Sequence, residues 1–182
     1  AGERFLSEGI TSAMEAGVGI NDIPLQVAAY QEAVERGVLR VRHNLAIWSE
    51  AVFDYSRFEE SLREAKFKLL GLGIRSGLGD ERLRIGHFKI IVDGAFSTVT
   101  AATYEPYGVD PNDRGRGVLV VEPEKLTGLA SLVHGLGWQL SVHGIGDRAI
   151  DVCLDAFEAA SKQCPRRDPR FRLEHSTMVL PR

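Results

Sequence analysis

Residues Trp138–Asp147 read WQLSVHGIGD. Trp138–Val142 is a short, mostly apolar run of the kind found in a strand buried on both faces. It passes into His143, then a turn of small residues, Gly144–Gly146, and then Asp147, a residue type that caps helix N-termini. Beyond Asp147, Ile150, Cys153, Leu154 and Phe157 recur on one helical stripe. The stretch is therefore one strand–turn–helix unit with a histidine at the carboxyl end of its strand.

The same unit recurs on either side. Downstream, Phe171–His175 (FRLEH) reads as a strand that also ends in a histidine. Upstream, Pro123 opens a helix carrying Leu126, Leu129, Val133 and Leu136 at helical spacing, closed by Gly137. Before it lies a connection over residues 94–117, with Pro106, Gly108, Pro111, Gly115 and Gly117. That is longer than a usual βα loop, so a lid or binding loop is expected. Leu83–Val92 (LRIGHFKIIV) reads as a strand ending in Asp93–Gly94, and RSGLGD before it as a glycine-rich link. Asp54 caps a helix carrying Phe58, Leu62, Ala65 and Leu69 and ending near Gly71, after a strand over Leu39–Trp48. Asp22 caps a helix with Pro24 in its first turn, running to about Arg36 and stopped by Gly37. Ile10–Glu15 is a short strand followed by Gly17 and Gly19, and the first residues read as the tail of a helix.

Alternating strands and helices imply parallel strands with right-handed crossovers, an α/β fold. An open nucleotide-binding sheet requires a glycine-rich phosphate loop, which GVGIND matches poorly. A barrel gathers polar side chains at the carboxyl ends of its strands, where this sequence places them. The expected architecture is thus a partial TIM-type (β/α)8 barrel, roughly strands 2 to 6, as a single domain over residues 1–182.

With 44% hydrophobic and 26% charged residues the composition is that of a globular protein, and a net charge of −3 argues against a nucleic-acid partner. Arg166–Arg167 and the arginines at 170 and 172, interrupted by Asp168, read as a solvated face. No apolar run approaches the ~18 residues of a membrane span, and no signal-peptide pattern opens the chain. Cys153 and Cys164 suit a reducing compartment, so a cytoplasmic location is expected, with Cys153 a buried small hydrophobe.

Glu15, Asp93, His143 and His175 fall at or just past predicted strand ends. His143 and His175 are one βα repeat apart, hence on neighbouring strands about 4.8 Å apart, from which two imidazoles can reach one metal ion; the alternative is two histidines that satisfy core hydrogen bonds or cap loops. Lys89 stands in the otherwise apolar FKIIVDG, and lysine is seldom buried without a partner. Burial favours its neutral amine, which adds carbon dioxide to give a metal-binding carbamate. Asp93, four residues on and on the same strand face, offers the alternative of a Lys89–Asp93 ion pair, and the strand pattern alone does not choose. His87 has no evident partner; His43 and His134 read as structural. Asp147 is a helix cap first and a substrate contact second, and Glu174 faces the outer helices by strand parity. Tyr104 and Tyr107 either meet substrate or pack the long connection down.

The segments GITSAMEAG, LRIGHFKIIVDG, YEPY, VHGIGDRAID and FRLEHS together resemble the amidohydrolase superfamily, in particular the amidohydrolase-3 group of YtcJ-like metal-dependent hydrolases. The resemblance covers nearly the whole chain in order. It implies a (β/α)8 barrel with an accessory β-domain, one or two divalent metal ions, usually zinc, and hydrolysis of C–N bonds in small amide-type substrates. By the same resemblance Lys89 is the carboxylated bridging ligand, and His143 and His175 are the ligands from the fifth and sixth strands. Asp93, Tyr107 and Asp147 are the expected substrate-binding residues.

The family's His-x-His pair of the first strand and aspartate of the last strand, which serves as base, have no counterpart here. The chain is accordingly expected to be a piece of a longer enzyme, inactive alone. Two rivals stay open: a barrel using Lys89 as a Schiff-base nucleophile, and an inactive barrel piece with an assembly role. For the latter, the two open edges of a partial barrel invite pairing with a second copy, a homo-oligomer.

Overall fold

The computed structural model describes residues 2–20, 22–67, 72–108 and 115–180. In chain order its elements are α1 (Gly2–Ser7), β1 (Ser12–Val18), α2 (Ile23–Glu35), β2 (Arg42–Trp48), α3 (Phe58–Phe67), β3 (Leu78–Gly79), β4 (Leu83–Ile91), α4 (Pro123–Gly135), β5 (Gln139–Gly144), α5 (Asp147–Gln163) and β6 (Arg172–His175). Two compact units emerge, Ala1–Lys89 with Leu136–Trp138, and Ile90–Gly135 with Gln139–Arg182. Strand β4 contributes to both.

In the first unit β1, β2 and β4 run parallel in that order, with Ser12 opposite Arg42 and Trp48 opposite Lys89. Helix α2 starts where its sequence dictates: Asp22 accepts from the Leu25 N–H at 2.8 Å, and Pro24 occupies the first turn, where no donor is needed. Asp54 caps too, but it caps a 3-10 turn over Tyr55–Arg57 that runs on into α3. Leu69 and Gly71, expected to finish that helix, lie outside the described residues, as does the side chain of Ala65. The core centres on Phe88, fully buried, with Phe53 and Trp138 edge-on at ring distances of 6.1 and 6.0 Å. Such T-shaped pairs add about 0.5–1.5 kcal/mol each beyond the area they bury.

In the second unit β5 and β6 are parallel, Ser141 opposite Arg172 and Gly144 opposite His175. Just past β4, the Val92 N–H donates to the His143 carbonyl at 3.2 Å, which aligns the end of β4 with β5. Helix α4 buries Leu126, Leu129, Ala130 and Val133, and α5 buries Ala149, Ile150, Cys153, Ala156, Phe157 and Ala160. Each stripe follows the three-and-four spacing of a one-sided helix, so α4 and α5 pack against each other and the sheet. Phe171, just before β6, stacks on Phe157 at 4.7 Å and 11°.

The alternating βα order with parallel pairing is that of part of a TIM-type barrel, as the sequence predicts. Several boundaries differ, and α4 ends at Gly135, which leaves Leu136 outside it. β1 begins later and runs through Gly17, so Glu15 is inside the strand and not at its end. β2 starts at Arg42, not Leu39. The glycine-rich link holds the short strand β3, which pairs antiparallel with β4 at Ile85 and Arg84. No helix among the described residues is long and apolar enough to cross a membrane.

Candidate functional site

His143 is the penultimate residue of β5 and His175 the last residue of β6. Parallel register sets Gly144 opposite His175, so both histidines leave the sheet at the same end. Their rings meet at 4.4 Å between centroids, inclined by 74°. His175 adopts φ 72° and Ser176 φ 49°, a left-handed pair in residues that are not glycine. Such backbone costs about 1–2 kcal/mol per residue and tends to persist where function uses it. The turned segment is tied down by the Ser176 N–H, which donates to the carbonyls of Gly144 at 3.2 Å and Glu174 at 3.0 Å.

The His143 side chain is 12% exposed. Its Nε2 lies 2.9 Å from the Gly94 carbonyl oxygen and 3.3 Å from Asp93 Oδ1. Asp93 itself is enclosed, its side chain without exposure. Oδ1 accepts from the Ile145 N–H at 3.0 Å, and Oδ2 from Ala102 and Gly146, both at 2.9 Å. Burial pushes this carboxyl up, but the bonds from His143, Gly146, Ala102 and Ile145 outweigh it and hold it below the ordinary carboxylate range. With both oxygens engaged inside the protein, Asp93 does not present itself to a substrate as expected; it binds the 94–103 connection to the turn between β5 and α5.

Asp147 is the first residue of α5, and Gly146, not Asp147, is the N-cap. The Asp147 carboxylate instead accepts from the N–H of Tyr104, in the long connection, at 3.0 Å and of Arg148 at 2.8 Å. The two tyrosines pack that connection down. Tyr107 donates its hydroxyl to the Ala101 carbonyl at 2.7 Å and meets Phe96 edge-on, and Tyr104 donates to Asp151 at 3.1 Å. Burial, then the Asp93 charge, raises the Tyr107 phenol above its usual range.

Of the weaker candidates, Glu15 accepts from the Gly17 N–H and the Tyr30 hydroxyl, toward α2. His87, expected to have no partner, has Asn44 Nδ2 at 3.2 Å from its Nε2. Gly86 gives Asn44 its space, since a Cβ there would stand 1.6 Å from Asn44 Oδ1. Glu174 accepts from the Ser141 hydroxyl of the neighbouring strand and pairs with Arg172. His43 lies against Val41 and Tyr30, as a structural histidine does. His134 is structural too: Nε2 lies 2.9 Å from the Cys164 carbonyl and Nδ1 3.3 Å from the Arg166 guanidinium. Lys89 is 4% exposed, within β4 opposite Trp48.

The structure thus brings His143, His175, Asp93, Asp147 and Tyr107 together in the second unit, and Lys89 belongs to the first. Among the described residues no group of three or more His, Cys, Asp and Glu side chains is arranged to hold a metal ion. What sequence reasoning missed are backbone groups: the Gly94 carbonyl and the N–H groups of Ala102, Ile145 and Gly146. One signal for them was present, the glycines at 94 and 146, where an added Cβ would stand 2.0 Å from Thr100 Oγ1 and 1.9 Å from the Ala102 carbonyl oxygen.

The sequence pattern of the Amidohydrolase family matches residues 1–182. Protein LONG AFTER FAR-RED 3 of Arabidopsis thaliana is 36% identical over 115 residues, 63% of this chain and 19% of that protein. Putative amidohydrolase YtcJ of Bacillus subtilis is 29% identical over 158 residues, 87% of this chain and 26% of that protein. The crystal structure of an uncharacterized metal-dependent hydrolase from Pyrococcus furiosus superposes with a TM-score of 0.64 at 30% identity, covering 88% of this chain and 30% of the other. The chain therefore spans about a third or less of each of these proteins.

Proposed function

The chain belongs to the amidohydrolase family, and from that premise we propose that it carries part of the metal centre of a hydrolase acting on C–N bonds of small amide-type substrates, with His143 and His175 as ligands of a divalent ion, zinc in the first instance, and with Lys89, on its resemblance to the family's carboxylated lysine, as a further metal ligand. The observation that carries the proposal is the meeting of the His143 and His175 rings at 4.4 Å, at the carboxyl ends of neighbouring parallel strands. In a barrel that end is where chemistry is done. The donor types suit the ion: two imidazoles are common zinc ligands, and a carboxylated lysine would add an oxygen donor. Lys89 enters on its burial in β4 and on the match of its segment to the family. Its amine nitrogen, adding to carbon dioxide with loss of a proton, supplies that oxygen ligand. A divalent ion held there would supply Lewis acidity, lowering the pKa of water and polarising a carbonyl.

The protein's own contribution is positional. His143 is steadied by the Gly94 carbonyl and Asp93, and His175 by its turned backbone. The connection over 94–108 is fastened to the start of α5 by the Tyr104 N–H, which donates to Asp147, and is held on itself by the Tyr107 hydroxyl, which donates to the Ala101 carbonyl.

The test is metal content and affinity. Zinc is expected to bind the wild-type protein at a defined stoichiometry, and His143→Ala or His175→Ala to weaken it more than about 100-fold, beyond what loss of a supporting contact does. Native mass spectrometry is expected to find the added carboxylate on Lys89 and to lose it in Lys89→Met. Undiminished zinc binding in the double histidine variant would refute the assignment. Borohydride trapping of a carbonyl substrate on Lys89 would favour Schiff-base chemistry instead.

A further inference from the structure

The Gly94 carbonyl oxygen has no proton to give, so a His143 Nε2 only 2.9 Å away must carry the hydrogen of that bond. Asp93 Oδ1, at 3.3 Å from the same nitrogen, stands on the same side as a second acceptor. Asp93 in turn has no freedom of its own, because the N–H groups of Ala102, Ile145 and Gly146 hold both its oxygens at 2.9–3.0 Å. Nothing about this carboxylate is aimed at solvent.

We propose that Asp93 is the positioning residue of the site: together with the Gly94 carbonyl it locks His143 in its Nε2–H tautomer and fixes the ring angle, which leaves the Nδ1 lone pair as the only metal-donating atom of that ring. The functional meaning rests on His143 being a ligand; the tautomer lock does not. Histidine ligands commonly give their second ring N–H to a carboxylate or a backbone carbonyl, and here both acceptors are in place within the folded chain alone. A carboxylate already saturated by three backbone donors is a poor substrate contact but a stiff anchor. Any movement of the ring would stretch its bonds to both acceptors. The arrangement also ties His143 to the long connection, since Ala102 and Gly146 bond to the same oxygen, Oδ2.

The experiment is long-range proton–nitrogen correlation spectroscopy on the metal-free chain with ¹⁵N-labelled histidine, at a pH where the ring is neutral. The wild type is expected to hold His143 as Nε2–H in at least about tenfold excess, the bias that one bond shared with a carboxylate supplies. Asp93→Asn, which turns one acceptor oxygen into a donor, is expected to bring His143 toward a tautomer mixture. His134, whose Nε2 faces the Cys164 carbonyl, is expected to remain unchanged and reports that the unit is folded. An Nδ1–H or mixed His143 in the wild type would overturn the proposal without any variant. An unchanged His143 tautomer in folded Asp93→Asn would overturn it as well. Adding zinc to the wild-type sample separates the two readings. A shift of His143 Nδ1 on zinc addition supports the ligand role, and its absence sinks that role while the metal-free tautomer stands on its own result.

Discussion

Gly146→Ala is the most searching single change to this framework. Gly146 has φ −74° and ψ 153°, a conformation that alanine adopts freely, so any effect is one of space. A Cβ there would lie 1.9 Å from the Ala102 carbonyl oxygen, 2.4 Å from its carbon and 2.8 Å from its nitrogen. Carbon–oxygen contacts normally begin near 3.3 Å, so the backbone at Ala102 must retreat by more than about 1 Å. That segment carries the Ala102 N–H bonded to Asp93 at 2.9 Å and the Tyr104 N–H bonded to Asp147 at 3.0 Å. A retreat of an ångström takes both outside hydrogen-bond range. Bonds to charged groups are worth about 1.5–3 kcal/mol each, and with partial relaxation the expected loss is about 3 kcal/mol. Urea denaturation followed by circular dichroism measures it. The control is Gly128→Ala, within α4, where an added Cβ meets nothing within 4 Å; it is expected to gain about 0.5–1 kcal/mol. If Gly146→Ala unfolds within about 0.5 kcal/mol of wild type, the packing argument is wrong.

Three further outcomes follow from the second unit. Burial, then the neighbouring Arg166 charge, lowers the His134 pKa against the lift from the Cys164 carbonyl. The unfolded chain therefore binds this proton more readily, and stability is expected to fall as the pH drops below about 6.5, with His134→Gln flattening that part of the urea-midpoint profile. Phe157→Ala removes the ring stacked on Phe171 and is expected to cost about 3–4 kcal/mol by the same denaturation measurement. Val99, β-branched yet at φ 57° and exposed, is strained, so Val99→Gly is expected to raise the thermal midpoint, a gain of about 1 kcal/mol.

What could be read in advance from the sequence was local. Asp22 with Pro24, and Pro123 at the head of α4, start helices through bonds made within one turn, so composition alone places them. His143 and His175 were legible as strand-end residues for a similar reason, since they lie one βα repeat apart, penultimate in β5 and last in β6. Gly17 misled because it reads as a strand breaker yet sits inside β1; a Cβ there would crowd Ile20 Cδ1 at 2.8 Å and Trp48 at 3.4 Å. Asp147 misled because a residue 43 positions earlier, Tyr104, claims its carboxylate and leaves the cap to Gly146. The enclosure of Asp93 depends on N–H groups 52 and 53 residues downstream, and no pattern of side-chain types announces a backbone donor.

Those long separations have a kinetic consequence. A carboxylate whose partners lie on β5 and its following turn cannot be satisfied until that strand has docked, and closing so long a loop is paid for late. The helix pair α4–α5 and its short connections to β5 rest on nearer contacts and are expected to form first. Damage at the Asp93 junction is then expected to quicken unfolding while refolding keeps nearly its wild-type rate. The part of the chain that orients the histidines would be the last to set, and the first to let go.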